Sequence, residues 1–129
     1  MSSAIRDGVA LAYDDVGEGP QSFLFIHGAY ADRSAFQAQV RAFSATHRVV
    51  SVDMRGHGES SKPSGPYRID DWVADTAWLC ERLRIEKPII VGHSMGGLVA
   101  VEIAAQHGDL PRAVVTLDSP SPIPGWSAR

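Results

Sequence analysis

A serine flanked by glycines stands where an apolar strand pattern turns directly into an apolar helix pattern. The segment Ile89–Ala100 reads IIVGHSMGGLVA, with Ser94 between Gly92 and Gly96. A serine hydroxyl becomes an effective nucleophile when it is exposed, aimed at a base and held near donors for a developing oxyanion. A tight strand-to-helix turn provides the exposure, although it strains the serine backbone. The pattern therefore predicts a nucleophile at Ser94.

The neighbours of Ser94 fit the same interpretation. Gly92 and Gly96 are expected because a Cβ two positions from the serine would collide within such a turn. A helix that begins at Met95 would direct its free N–H groups and its dipole at the hydroxyl, which favours negative charge there. Two other interpretations are a glycine-rich turn that only joins a strand to a helix, and a phosphate-binding loop. No Gly-Lys-Ser/Thr or Gly-x-Gly-x-x-Gly follows the strand, which disfavours the second.

Strand-like and helix-like segments alternate along the chain. Apolar runs predict strands near 22–28, 47–53, 87–94 and 112–118, and apolar residues at helical spacing predict helices near 32–47, 69–85 and 95–108. Asp7-Gly8 between two short runs indicates a hairpin. The first helix is expected to be capped by Ser34 with Gln37, and the second by Asp70 or Asp71. Such alternation predicts an α/β fold, a mostly parallel sheet with helices on both faces.

Composition narrows the class of protein. Twelve basic and fifteen acidic residues give a net charge of −3 without a basic stripe, so nucleic acid is not an expected partner. The apolar runs are too short to span a bilayer and the first ten residues lack a signal-peptide core, so no membrane partner is expected. Cys80 is the only cysteine, which excludes an internal disulfide and favours a reducing compartment. We therefore expect a soluble cytoplasmic protein.

Four motifs occur in one order along the chain: LAYDDVGEGP, FLFIHGAY, SVDMRGHGESSKP and VGHSMGG. With these motifs the chain resembles the α/β-hydrolase superfamily, especially its cap-bearing esterases, lactonases and C–C bond hydrolases. The resemblance implies the amino-terminal part of that fold over residues 1–118, with six strands in the order 1-2-4-3-5-6 and three helices. It also implies that residues 119–129 begin a cap linker.

The same resemblance implies roles for particular residues. Ser94 would be the nucleophile in an elbow formed with Gly92 and Gly96, and the backbone N–H groups of Met95 and Ala29 would form the oxyanion hole. Asp118, at the end of the last strand, is a possible triad acid. In some members the acid lies there, whereas in cap-bearing members it usually follows the next strand. No cofactor is expected.

Other reactive side chains are interpreted as structural. His27 is expected to support its loop from beneath, and His93 diverges from its neighbour Ser94. Cys80 falls on the buried face of a helix. The loop residues Asp53, Arg55, Gly56 and Gly58 suit a turn braced by arginine–carboxylate pairing better than substrate binding. The five histidines never pair with cysteines or carboxylates at ligand spacing, so no metal site is expected.

One part of the family pattern is missing. The superfamily places its catalytic histidine after the serine and the acid, but the last histidine, His107, belongs to the helix that follows the elbow. Ala113, Val114, Val115 and Leu117 are typical of a strand buried on both faces, which calls for a further strand beside it. The expected partners are a small-molecule substrate and a carboxy-terminal complement of the same hydrolase, on a second chain or a nicked remainder.

The function expected from these observations is hydrolysis of an ester, lactone, thioester or C–C bond in a small molecule, with the chain alone inactive. Three alternatives remain open. The fold could serve a non-catalytic protein that binds a small ligand, or the chain could be an inert processed fragment. Within enzymes, the same serine could serve acyl transfer or cofactor-free peroxidation.

Overall fold

The computed structural model describes residues 1–120 as one six-stranded sheet with the order β1-β2-β4-β3-β5-β6. The strands are β1 Ser2–Arg6, β2 Val9–Val16, β3 Ser22–Ile26, β4 Arg48–Val52, β5 Ile89–His93 and β6 Ala113–Leu117. β2 pairs antiparallel with β1 and β4, while β4, β3, β5 and β6 run parallel. The predicted α/β class and strand order are confirmed. The cap linker predicted at 119–129 lies outside the described residues beyond Pro120.

Helices cover both faces of the sheet, as predicted. A one-turn 3-10 helix, Arg33–Phe36, leads into α1 (Gln37–Phe43), and the longer helices are α2 (Ile69–Arg82) and α3 (Met95–Gln106). α2 and α3 bury one face of the sheet in the larger apolar cluster, which includes Leu24 and Ile26 of β3. Phe25, between them in β3, points to the other face and packs against Phe36. This alternation is why β3 is apolar at every position from Phe23 to Ile26. Within residues 1–120 no helix is long and apolar enough to cross a bilayer.

The turn between β1 and β2 forms as its sequence predicts. Asp7 and Gly8 both have positive φ, 47° and 81°, as a type I′ hairpin turn requires. The paired strands β1 and β2 then form one end of the sheet.

Both predicted helix caps are wrong in detail. The 3-10 turn is capped by Asp32, whose carboxylate accepts the Ser34 N–H at 2.8 Å, so Ser34 is inside the turn and not its cap. α2 is preceded by Arg68, and the Asp71 carboxylate accepts the Arg68 N–H from within the first turn. In both cases a carboxylate accepts a backbone N–H at the start of the helical segment, but that segment begins at a different residue from the one the sequence predicted.

β6 forms one edge of the described sheet. Its side chains were predicted to be buried on both faces, but Val115 is 42% and Leu117 43% exposed. Among residues 1–120, β6 pairs only with β5. This edge therefore presents apolar side chains to solvent.

Candidate active site

Ser94 occupies the junction between β5 and α3. β5 ends at His93, α3 begins at Met95, and Ser94 between them has φ 52° and ψ −115°. This combination is sparsely populated for a residue with a side chain and costs on the order of 1–3 kcal/mol. The strain is sustained by neighbours: the Ser94 N–H donates to the Leu117 carbonyl at 3.0 Å. The turn therefore has the strained backbone that the sequence pattern implies.

Glycines are required on both sides of this turn because the backbone is packed directly against backbone. A Cβ on Gly92 would meet the Gly96 carbonyl, and one on Gly96 would meet the carbonyls of Ile26 and His27 in and after β3. α3 can thus approach β3 more closely than any side chain would allow. The spacing of Gly92 and Gly96 about the serine is explained by these two contacts.

Ser119 was not singled out by the sequence, yet it contacts the turn directly. Its hydroxyl donates to the Ser94 carbonyl at 2.9 Å, and its side chain occupies the space where Gly97 lacks a Cβ. The same carbonyl accepts the Gly97 N–H at 2.9 Å. The only sequence signal was the third glycine at position 97, which indicated that some group must come close to it.

The loop after β3 passes beside Ser94. A Cβ built on Gly28 would lie 3.3 Å from the Ser94 Cβ. The next residue, Ala29, and Met95 at the first position of α3 both have backbone N–H groups without an acceptor among residues 1–120. Two N–H groups without an acceptor therefore lie in the residues adjoining this turn, and an oxyanion hole needs such donors. The assignment of these two amides to that role remains a prediction.

His27 fixes the orientation of the peptide that carries one of these donors. It is fully buried, and its Nε2 accepts the Met54 N–H at 3.0 Å. Nδ1 must then carry the proton, and it donates to the Gly28 carbonyl at 2.7 Å. Because the peptide is planar and trans, holding the Gly28 carbonyl also holds the Ala29 N–H on the opposite side. Burial lowers the pKa of His27, which keeps the ring neutral. The predicted supporting role of His27 is confirmed.

Three other ionisable side chains lie in the loops and strand ends of this region: His57, His93 and Asp118. His57 is near the surface and its Nδ1 donates to the Arg55 carbonyl at 3.2 Å, while His93 is exposed and stands over Gly28. Asp118 is exposed, with φ 48°, directly after the Leu117 that binds the turn. Over the described range, no hydrogen bond joins the Ser94 hydroxyl to any of them. The role of Asp118 stays a prediction.

The loops on either side of the site are braced by buried carboxylates. Asp53 is fully buried and accepts the Arg33 guanidinium at 2.6 Å and the Arg33 N–H at 2.7 Å. Asp75, equally buried, binds Arg55 through two hydrogen bonds of 2.7 and 2.8 Å, and Arg6 at 2.9 Å. The predicted brace of the 53–58 loop is thus present. Its partners Arg33 and Asp75 come from other elements, and the sequence did not indicate them.

Two more sequence interpretations concern glycines and the cysteine. Gly56 packs on the ring of Tyr67 and Gly58 against the Asp53 carboxylate, both at positive φ. Cys80 is buried, and burial raises the pKa of its thiol to about 12. The thiol therefore stays protonated and serves as core, as predicted.

A cavity of about 510 Å³ opens beside the two free amides. Its lining comprises Ala29, Tyr30, Ala31, Asp32, Gly56, His57, Gly58, Tyr67, Trp72 and Met95. The loop after β3, the loop after β4 and the start of α2 all contribute to it. The cavity is large enough for a small-molecule substrate next to Met95, the residue after Ser94.

Fold and turn geometry together define a class of protein. A mostly parallel sheet with a strand, β5, that ends in a strained serine before a helix is the arrangement of an α/β hydrolase. The family model described as alpha/beta hydrolase fold matches residues 21–128. The chain belongs to this family.

Individual relatives narrow the comparison. The chain is 36% identical over 110 residues to 2-(acetamidomethylene)succinate hydrolase of Mesorhizobium japonicum, covering 85% of this chain and 39% of that protein. It is 33% identical over 125 residues to 3-oxoadipate enol-lactonase 2 of Acinetobacter baylyi, and the match covers 94% of this chain and 47% of that protein. The enol-lactonase structure from Burkholderia xenovorans LB400 superposes with a TM-score of 0.83 at 35% identity, and the superposition covers 88% of this chain and 45% of that one. The chain therefore spans less than half the length of these relatives.

Proposed function

We propose that this chain carries the nucleophile, Ser94, of a hydrolase that acts on ester, lactone, thioester or C–C bonds in small molecules. The observation that carries the proposal is the strained backbone of Ser94 at the strand-to-helix turn. The N–H groups of Ala29 and Met95, which have no acceptor among residues 1–120, are the proposed oxyanion hole. Relatives named as a succinate-derivative hydrolase and an enol-lactonase support the reaction class. Hydrolysis of a carbonyl-centred bond is the chemistry that this geometry serves best.

The geometry suggests the following sequence of steps for an ester. The Ser94 Oγ attacks the carbonyl carbon while a base removes the hydroxyl proton, and the carbonyl oxygen becomes an oxyanion that accepts the N–H groups of Ala29 and Met95. Collapse expels the alcohol, which takes the proton from the base and leaves an acyl group on Ser94. Water, deprotonated by the same base, then releases the carboxylic acid and restores the serine.

The base is proposed to come from a carboxy-terminal complement of the fold. His27 already uses both ring nitrogens, and none of the other histidines among residues 1–120 hydrogen bonds to Ser94. The exposed apolar edge of β6 provides a surface on which further strands of the same hydrolase would pair. A segment bearing those strands would also bring a histidine to the carboxyl end of the sheet, where Ser94 lies.

Labelling with a serine-directed fluorophosphonate tests the nucleophile. Native material from the source organism is treated with the probe, digested and mapped by mass spectrometry. We expect the label on the peptide that contains Ser94, and none on Ser94→Ala. Ser119→Ala is the matched control, because it removes a neighbouring hydroxyl and should keep the label. Labelling of another serine, or undiminished labelling of Ser94→Ala, would refute the assignment.

Intact-mass measurement and size-exclusion chromatography of the same native material test the complement. We expect Ser94 in a species heavier than 13.9 kDa, either one longer polypeptide or two that co-elute. Hydrolysis of a simple aryl ester by a lone monomer of this chain's mass would contradict the need for a complement. Ligand-dependent thermal stabilisation without turnover would favour a binding protein instead.

A further inference from the structure

The peptide between Ser94 and Met95 is held on its carbonyl side by a side chain from outside the helix. The Ser119 hydroxyl donates to the Ser94 carbonyl at 2.9 Å, whereas the Leu117 carbonyl, its alternative acceptor, is farther away at 3.4 Å. All peptide bonds of the described residues are trans, so the Ser94 carbonyl and the Met95 N–H point to opposite sides of one planar unit. A group that fixes this carbonyl therefore also fixes the direction of the Met95 N–H.

The same short segment holds the peptide on the other side of Ser94. The Leu117 carbonyl accepts the Ser94 N–H at 3.0 Å. Asp118, between Leu117 and Ser119, has φ 48°, which takes the chain out of the strand conformation. Leu117 and Ser119 thus hold both peptide groups that flank the strained Ser94. Such strain persists only where the surrounding structure over-determines the conformation.

The Ser119 hydroxyl fits against α3 because Gly97 carries no side chain. The nearest atoms to a Cβ added at Gly97 would be the hydroxyl oxygen and the Cβ of Ser119. Within α3, the N–H groups of Gly97 and Leu98 also donate to the Ser94 carbonyl, at 2.9 and 3.3 Å. Those two bonds belong to the helix itself, whereas Ser119 ties the carbonyl to the chain after β6. The orientation of this peptide therefore depends on both elements.

We infer that Ser119 is a positioning residue of the reaction, which orients the Met95 N–H toward the developing oxyanion by holding the Ser94 carbonyl. The inference rests on the proposed function, since the direction of this N–H matters to catalysis only if Ser94 reacts. His27 acts in the same way on the peptide of the other proposed donor, Ala29. Because the oxyanion develops only during the reaction, a loosened donor slows bond formation more than it weakens binding of the substrate.

The rate at which a fluorophosphonate labels Ser94 in the whole protein, with any complement that co-purifies, tests this role. We expect Ser119→Ala to lower the limiting rate at saturating probe about three- to tenfold, less than the roughly 10²–10³-fold loss that follows removal of an oxyanion-hole donor. The half-saturating concentration of the probe should not change, and the label should still reach Ser94 at long exposure. Ser119→Thr keeps the hydroxyl and should restore most of the rate. Thr116→Ala is the matched control, because it removes an exposed hydroxyl from β6 and should leave the rate unchanged.

An NMR signal from the same peptide separates this inference from the proposed function. Ser94-Met95 is the only Ser-Met pair in the sequence, so ¹³C-carbonyl serine combined with ¹⁵N-methionine selects a single amide of this chain. We expect this signal to move in Ser119→Ala and to return toward its original position in Ser119→Thr. The signal requires no reaction, so it reports on the peptide whether or not Ser94 is labelled.

The two measurements give distinct outcomes. An unmoved signal or an undiminished limiting rate in Ser119→Ala would overturn the role of Ser119 and leave Ser94 as the nucleophile. An equal loss of rate in Thr116→Ala, or no recovery in Ser119→Thr, would overturn it as well. If the parent protein takes no label while the signal still moves in Ser119→Ala, the proposed function fails, and with it the catalytic role of Ser119.

Discussion

His27 shows how one buried side chain can set the geometry of a neighbouring peptide. Its ring links the Met54 N–H to the Gly28 carbonyl, so the loop after β3 and the loop after β4 are joined through a single neutral imidazole. A protonated ring could no longer accept the Met54 N–H. The position of the proposed donor Ala29 therefore depends on the charge state of His27.

Because burial lowers the pKa of His27 below its ordinary value of 6.5, the unfolded chain binds a proton more readily than the folded one. We therefore expect the free energy of unfolding to decrease as the pH falls below about 6.5. His27→Gln cannot take up that proton, so its decrease should be smaller. His27→Gln should also lower the free energy of unfolding by about 1–3 kcal/mol near neutral pH, because the buried backbone groups that His27 binds lose hydrogen-bond partners.

Urea unfolding followed by circular dichroism between about pH 5 and pH 8 measures both effects. His107→Gln is the control, because it removes an exposed histidine at the end of α3. A pH dependence in His27→Gln as steep as that of the parent chain would show that His27 is not the group responsible.

At the scale of elements, the site depends on how closely α3 approaches β3. The first turn of α3 rests on backbone carbonyls of β3 and the residue after it, without side chains between them. This contact orients the free amino end of the helix toward Ser94, where its N–H groups favour negative charge. A small change in the distance between α3 and β3 would displace the Met95 amide.

Gly96→Ala should therefore destabilise the fold, although alanine is the better helix former. The new Cβ would meet the carbonyls of Ile26 and His27, which are backbone and cannot move aside as a flexible side chain would. We expect a loss of about 1–3 kcal/mol from overpacking, against a gain of at most about 1 kcal/mol in helix propensity. Fluorophosphonate labelling of Ser94 should fall as well.

Gly108→Ala is the matched control for this prediction. It lies just after α3, and the nearest atom to its added Cβ is the Ala104 carbonyl oxygen at 3.6 Å, an ordinary contact. Thermal unfolding of both variants makes the comparison. If Gly96→Ala melts at the same temperature as Gly108→Ala, the close approach of α3 to β3 is not required.

At the scale of the whole molecule, the two edges of the described sheet differ. β1 pairs with β2 within a hairpin, and its Ile5 is 68% exposed. β6 holds Ser94 through the Leu117 carbonyl and presents exposed valine and leucine side chains. An apolar edge strand without lysine, proline or a bulge readily pairs with another strand.

We expect the isolated chain to associate with itself as its concentration increases, and Val115→Lys to reduce this association. A lysine on the exposed face of β6 would repel the same residue of a second copy and keep the edge hydrated. Ile5→Lys, which places the same charge on the opposite edge, should have little effect. Sedimentation velocity over a concentration series makes the measurement, and equal effects of the two variants would argue against association through β6.

Much of the architecture follows from local sequence patterns. The hairpin at Asp7-Gly8 and the turn at Ser94 were predictable because each depends on backbone conformations that few residues adopt. The strand order followed from the resemblance to one family, since short right-handed crossovers leave few arrangements open. The glycines at 92 and 96 indicated a close approach, although not the atoms approached.

Only the tertiary structure decided which groups meet across the fold. Arg6 and Asp75 are 69 positions apart, and Arg33 and Asp53 are 20 apart on different elements. The lining of the cavity beside Met95 likewise combines Tyr67, in a loop, with Trp72 in α2. Charge pairing and cavity lining depend on which side chains a particular packing of sheet and helices brings within a few ångströms. A local pattern fixes the conformation of a segment, because that depends on neighbouring residues, but not the distances between segments.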